Sequence, residues 1–224
     1  MNQMNNLKVL YEDNHVIVVV KPFNVLSQAD ATQDKDLLTM VKEYVKEKYN
    51  KPGNVYIGLV HRLDRPVGGV MVFARSSKAA SRLTEMFKEH NFSKKYLAVV
   101  NGKMENNEGE FTDYLLKLDN GNTVVDKKGK LSKLKYKVLE YNKDNNLSLV
   151  DIELLTGRHH QIRVQFASRN HALYGDQRYG ALNNKQIALW AYELKFVHPV
   201  KKEEQKFICL PEKKEIWKLF DINL

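Results

Sequence analysis

The sequence predicts an α+β fold, a single domain over residues 1–224 with a mixed, mostly antiparallel central sheet flanked by helices. Three observations carry this. Two β-branched or apolar runs, HVIVVV at 15–20 and VMVFA at 70–74, read as buried strands. Residues 133–155 read as an antiparallel hairpin. The helical patterns stand singly among the strands, without the regular alternation of a doubly wound parallel sheet.

In order, residues 7–11 form a short apolar run closed by the turn signal Glu12-Asp13-Asn14. Lys21-Pro22 ends the strand at 15–20, and 27–36 is polar and loop-like. Asp36 caps a helix from Leu37 to about Tyr49, with Leu37, Leu38, Val41, Tyr44, Val45 and Lys48 at helical spacing. Residues 55–63 lead into HRLDR and the strand at 70–74. Ser76 or Ser77 caps a second helix, 78–90, with Ala79, Leu83, Met86 and Phe87 inward and Asn91 as its stop. Strands follow at 94–101, turned by Gly102, and at 109–118. Residues 118–132, rich in Gly and Lys, are expected to be a surface loop. Leu134, Tyr136 and Val138 alternate with Lys133, Lys135 and Lys137, a half-exposed strand, and Asp144-Asn145-Asn146 turns it into 147–155. A helix is expected at 161–169, with Ile162, Phe166 and Ala167 inward. Irregular chain follows at 170–180, then strands at 187–198 and 206–210. A last helix has Pro211 in its first turn and ends near Phe220.

Composition narrows the function classes. With 224 residues, 43% of them hydrophobic, the chain can bury a real core. No apolar run approaches the ~20 residues needed to span a bilayer. The N-terminal MNQMNNLKVLYEDN lacks the apolar centre of a secretory signal, so a cytoplasmic protein with no membrane partner is expected. The single Cys209 excludes an internal disulfide. A formal net charge of +9 favours a polyanionic partner, nucleic acid before membrane. The basic residues are scattered along the chain, which fits a basic surface on a folded domain better than a disordered arm.

Chemistry-bearing residues gather in three places. HRLDRPVGGVMVFAR at 61–75 sets Asp64 between Arg62 and Arg65, and a guanidinium favours the ionised form of a nearby acid. In an extended run Arg62 and Asp64 share a face. An anionic Asp64 suits a nucleophile or electrostatic anchor better than a general acid. The alternative is a surface ion cluster leading into a core strand. KKY at 94–96 offers Tyr96, either a packed core tyrosine or a ring stacked on an unpaired base. TGRHHQIR at 156–163 sets Arg158 and Arg163 around His159, His160 and Gln161. Arg163 could reach a carboxylate with a bidentate fork, or both arginines could touch only phosphate. His61, Asp64, His159 and His160 are conceivable metal ligands. The neighbouring arginines repel a cation, however, and no CxxC or HExxH cluster is present, so no metal is expected. Without a GxxxxGK[ST] loop, nucleotide hydrolysis has no support.

Taken in order, HRLDR with GGVMVFARSSKAA, KKYLAVVNG, LLTGRHHQIRVQF and YGDQRYG resemble the RluA-type RNA pseudouridine synthases, from about Val9 to Pro199. The resemblance implies a pseudouridine-synthase fold with a central active-site cleft. It implies an isomerase that moves the glycosidic bond of specific uridines in ribosomal or transfer RNA from N1 to C5 of the same base. By the same resemblance Asp64 is the essential carboxylate, Tyr96 the tyrosine of the KxY motif, and Arg163 the arginine that pairs with the aspartate. His61, Arg62, Arg65, Arg158, His160 and Gln161 are expected to contact substrate, with Arg62 on a phosphate or in the gap left by a flipped base. RNA is the expected partner. No metal, no organic cofactor and no obligatory protein partner are expected, and the protein is expected to be a monomer.

The sequence departs from the family at three points. Pro66-Val67-Gly68-Gly69 stands where Thr-Ser or Val-Ser often precedes the glycine. Gln165 stands where His is common, and Leu189-Trp190-Ala191 where Leu-His-Ala is common. Altered substrate contacts are the expected consequence. Many members carry a small basic RNA-binding domain before the catalytic one, whereas this chain starts almost at the catalytic motifs. Target choice is therefore expected to rest on this domain or on inserts such as residues 118–132.

Overall fold

The structure, a computed structural model, describes residues 7–88, 92–180 and 185–224. The chain divides into two compact units. One comprises Met1–Phe92 with Glu193–Cys209, and the other Ser93–Tyr192 with Leu210–Leu224.

In the first unit β1 (Lys8–Glu12), β2 (Val16–Lys21), β4 (Gly68–Ala74) and the end of β10 (Leu189–Val197) lie side by side in that order. The short β3 (Gly58–Leu59) adds to β4 and β11 (Glu204–Ile208) to β10, and the pairings β1–β2, β2–β4, β3–β4 and β10–β11 are antiparallel. Every residue of β2 and of β4 is buried. That explains why both read as continuous apolar runs rather than alternating ones. Helix α1 (Leu37–Lys48) starts where expected, because the Asp36 side chain accepts from the Thr39 amide at 3.1 Å. Its core face is Leu37, Val41 and Val45. Lys48, placed on that stripe by spacing, is exposed; its ammonium pairs with Glu12 and lies over the Tyr44 ring. Helix α2 (Ser77–Lys88) is capped by Ser76, whose hydroxyl accepts from the Ala79 amide at 3.2 Å. Its expected end at His90 and stop at Asn91 lie outside the described residues.

The second unit orders β5 (Phe92–Asn101), β9 (Leu147–Leu154), β8 (Lys130–Asn142), β6 (Glu108–Lys117) and β7 (Thr123–Val125), with all four pairings antiparallel. The expected alternation on β8 puts Leu134 and Tyr136 inside, and Asn146, at φ 50°, makes the turn into β9. The predicted surface loop at 118–132 is instead two tight turns with β7 between them, and β8 begins at Lys130. Helix α3 (Gln161–Ala167) is shorter than expected, and Gln161 to Phe166 are all buried, polar residues included. The last helix is not an α-helix from Pro211 but a 3₁₀ turn, Glu215–Leu219, anchored by buried Trp217. Glu215 has φ 48°, a conformation an α-helix entering from Pro211 cannot pass through. Among the described residues no helix is long and apolar enough to cross a membrane.

In the first unit Asp13 closes the β1–β2 turn by accepting from the amides of His15 (2.8 Å) and Val16 (2.9 Å). Burial pushes its carboxyl up. The two amides, Tyr11 and Lys201 outweigh that, so it titrates well below the usual carboxylate range. Because the folded state holds fewer protons here than the unfolded one, this stability is full above the unfolded value of about 4 and is lost progressively as pH falls from there through the much lower folded value. Asp13→Asn should therefore lower the melting temperature at pH 7, and the gap from the unsubstituted protein should close in acid below about pH 4. Thermal melts of both proteins across pH check this.

Candidate active site

The carboxylate strap of the first unit is not a strand. Residues 60–67 are irregular and end in a turn, with the Val67 amide donating to the Asp64 carbonyl at 3.0 Å. The expected shared face for Arg62 and Asp64, which required an extended run, therefore does not arise from a pleat. Polar groups beneath hold the strap instead. The buried Ser27 hydroxyl donates to the Leu63 carbonyl (2.8 Å) and accepts from the Leu63 amide (3.1 Å). The Lys21 ammonium, with no exposed surface, donates to the carbonyls of Pro22 (3.0 Å), Val25 and Arg65 (3.0 Å). Asp64 thus sits between two residues whose backbones are fixed from below. Burial pulls Lys21 down to about 7; the Asp64 carboxylate opposes that fall and Arg65 adds to it.

Around Asp64, the charged tips diverge. Arg65 turns outward to Asp34, Nη2 to Oδ2 at 2.6 Å, and Arg62 is exposed. His61 accepts the Val72 amide on Nε2 (3.1 Å) and its ring packs on Phe87, centroids 4.9 Å apart, which ties the strap to β4 and α2.

In the second unit Arg163, on α3, makes a buried two-pronged ion pair with Asp176: Nε to Oδ2 and Nη2 to Oδ1, both 2.7 Å. Its guanidinium also lies over the Tyr179 ring, 5.2 Å from the centroid. The Tyr179 hydroxyl bonds His160 Nδ1 at 2.7 Å and accepts from the Thr123 amide at 2.9 Å. His159 stacks on His160 at 3.7 Å and bonds the Thr123 hydroxyl at 2.9 Å. Burial, then the charges of Arg163, His159 and Arg178, pull His160 down to about 3 against the opposing Asp176. His160 is therefore a neutral hydrogen-bonding group at physiological pH. The Gln161 amide bonds the Arg158 amide, Thr156, Lys133 and Gln165, so it is engaged inside the protein. Arg158 is exposed and donates from Nε to the Leu131 carbonyl at 3.1 Å. Tyr96 is buried on β5 opposite Ile152, with Lys94 on the same face two residues back. Burial pulls the Lys94 ammonium down to about 8.

Asp64 thus belongs to the first unit, and Tyr96 and Arg163 to the second. Sequence reasoning gave no role to Lys21, Ser27, Lys94 or Asp176. A lysine ending a wholly apolar run, and an aspartate inside YGDQRYG, were the signals available. Gln165, which stands where the resembled family often has His, is fully buried and donates to Asp113 Oδ2 at 2.8 Å, so this departure is built into the scaffold by a carboxylate of its own.

Comparison with known proteins agrees with this framework. The profile of the RNA pseudouridylate synthases matches residues 15–168. A protein of Aquifex aeolicus named an uncharacterized RNA pseudouridine synthase is 31% identical over 215 residues, 90% of this chain and 68% of that one. Ribosomal large subunit pseudouridine synthase C of Buchnera aphidicola is 30% identical, over 89% of this chain and 66% of that protein. The tRNA pseudouridine synthase C of Vibrio parahaemolyticus is 30% identical, over 88% and 87%. This chain spans about two thirds of the Aquifex and Buchnera proteins. The solved human RNA Pseudouridylate Synthase Domain Containing 4 shares the fold, with a TM-score of 0.78 at 20% identity over 95% of this chain and 90% of that one. The chain belongs to the RluA-type RNA pseudouridine synthase family, isomerases that convert uridine in RNA to pseudouridine.

Two outcomes follow from the second unit. Asp176→Asn strands the Arg163 charge in a buried site and should cost about 3–5 kcal/mol in urea unfolding. In ¹⁵N NMR the His160 ring should keep one neutral tautomer between about pH 5 and 8; a His160 titration inside that window would contradict its surroundings.

Proposed function

We propose that the two units act together as one catalytic domain that isomerises specific uridines in ribosomal or transfer RNA, with Asp64 as the catalytic carboxylate. The observation that carries this is the family match across 15–168, which includes HRLDR, together with the fixing of Asp64's two backbone neighbours by Ser27 and Lys21. The names of the Buchnera and Vibrio relatives support the two RNA classes.

The chemistry fits the residue types. The N1–C1′ bond breaks and a C5–C1′ bond forms, while C5 loses a proton and N1 gains one, so the reaction is balanced without any cofactor. Positive charge builds on the sugar as N1 leaves, and a carboxylate held in place opposes it without having to reorganise. In this reading Arg163 and Tyr96 serve the same reaction as Asp64, with Tyr96 packing on the uracil and assisting loss of the C5 proton. The uridine must leave its stack to react, and exposed Arg62 serves the phosphate or the vacated gap. His61, Arg65, Arg158 and His160 complete the substrate surface, whereas Gln161, expected there from the sequence, is buried and holds Thr156, Lys133 and Gln165 instead. The proposal needs neither metal nor organic cofactor, and it places the enzyme in the cytoplasm as a monomer without an obligatory protein partner. The formal charge of +9 supplies salt-sensitive attraction to the RNA backbone.

Asp64→Asn should abolish pseudouridine formation while RNA affinity stays within about threefold. Pseudouridine mapping and filter binding on the same RNA check both halves. Turnover retained in the variant would remove Asp64 from the mechanism.

A further inference from the structure

The segment 117–131 of the second unit, expected to be a plain surface loop, is an arm with a fixed shape. It leaves β6 at Lys117, turns with Leu118 accepting from Gly121 (3.0 Å), returns as β7, and turns again with Asp126 accepting from Gly129 (2.8 Å). At the second turn the arm crosses β6 with no room to spare, since a Cβ on Gly129 would lie 2.2 Å from the Leu115 carbonyl carbon. Side chains of the two downstream motifs fasten the arm. Arg178 Nη1 donates to the Gly121 carbonyl (2.9 Å), the Tyr179 hydroxyl and His159 hold Thr123, and Arg158 Nε donates to the Leu131 carbonyl. Tyr179 also carries the Arg163 guanidinium over its ring.

This rigid arm presents charge. Lys117, Lys127, Lys128, Lys130, Arg158 and Arg178 are all exposed, and among the described residues none of the six makes an ion pair. Within 117–131 the acids are Asp119 and Asp126, and Asp126 Oδ1 is taken by the Lys128 amide at 2.8 Å. Tyr114 and Leu131, direct cross-strand partners, are exposed at 49% and 40% on the sheet face opposite the one that carries Leu115 and Lys130. Unpaired cations on an arm of fixed shape suit a ribose-phosphate strand, with its phosphates on the cations.

We infer that this arm is the surface on which the RNA flanking the target uridine is held, and that it sets which RNA is accepted. The inference rests on the RNA pseudouridine synthase reading and adds to it the place where substrate strand is gripped. An acidic protein partner could also use such charge. The unpaired cations and the fastening of the arm to the Arg163 motif favour RNA.

The test compares Lys127→Gln/Lys128→Gln/Lys130→Gln with a control triple of equal charge loss on exposed α1 and its following turn, Lys42→Gln/Lys46→Gln/Lys51→Gln. The probes are ribosomal RNA and bulk transfer RNA from cells lacking this enzyme. The arm triple should weaken binding by about tenfold or more. It should also reduce the slope of log affinity against log salt by about 2, near 0.7 for each single-strand phosphate that is no longer neutralised. KM for RNA should rise with kcat within about twofold, as expected when binding weakens equally in the ground and transition states. The control triple should move each quantity by less than about twofold. Equal effects of the two triples, or RNA binding by the arm triple equal to that of the unsubstituted protein, would overturn the inference. Should the unsubstituted protein make no pseudouridine in any RNA, the catalytic reading falls, while the binding difference between the triples still decides the arm.

Discussion

Lys21 has no contact with water, so its ammonium must find all its acceptors inside the protein. It finds them in backbone that has no sheet partner: Pro22 and Val25, just after β2, and Arg65, one residue past Asp64. Irregular buried chain has the converse problem, carbonyls that a ladder would otherwise satisfy. One side chain meets both needs, and in doing so it sets the position of the strap that carries Asp64. Ser27 repeats the device on the other side at Leu63. The carboxylate therefore owes its place to two buried donors rather than to the pleat of a strand. Burial lowers the Lys21 pKa, and the Asp64 carboxylate opposes that fall.

The second unit is held by a different buried charge. A guanidinium and a carboxylate together escape much of the penalty of burial only when the geometry is good, and Arg163 and Asp176 meet in the two-pronged arrangement that suits both groups. The pair fixes α3 against the turn that carries Tyr179, and from Tyr179 the order passes to His160 and to Thr123 in the arm. Positive charge on Arg163 and Arg178, added to burial, keeps His160 neutral, so the pair also decides what the neighbouring histidine can do. A helix of seven residues with almost no exposed face survives because Gln161, Arg163 and Gln165 each have partners far away in sequence: Lys133, Asp176 and Asp113.

Much of the framework was legible in local pattern. The burial of β2 and β4 followed from unbroken apolar runs, the start of α1 from Asp36, and the β8–β9 hairpin from its alternation and its Asp-Asn-Asn turn. Local pattern misled where long-range hydrogen bonds override it. Residues 118–132 look like a loop because they are polar and contain two glycines, yet β7 forms there because Tyr179 and His159 capture Thr123. The strap at 60–67 invited an extended reading, yet Pro66 has no amide to give a ladder and Lys21 takes the Arg65 carbonyl. The inner stripe expected on α3 was too narrow because polar side chains at 161, 163 and 165 are buried by partners no spacing rule reveals.

By itself the sequence determined the α+β class, the family, and which residue types stand in the three motifs, because periodicity and motif order are properties of neighbours along the chain. Tertiary structure alone decided which charges meet: Arg163 with Asp176, Arg65 with Asp34, and Lys21 with three carbonyls. Those choices depend on desolvation and on where the folded backbone brings its segments together, as when Lys21 meets Arg65 across 44 residues and Arg65 meets Asp34 across 31, quantities that no local pattern encodes.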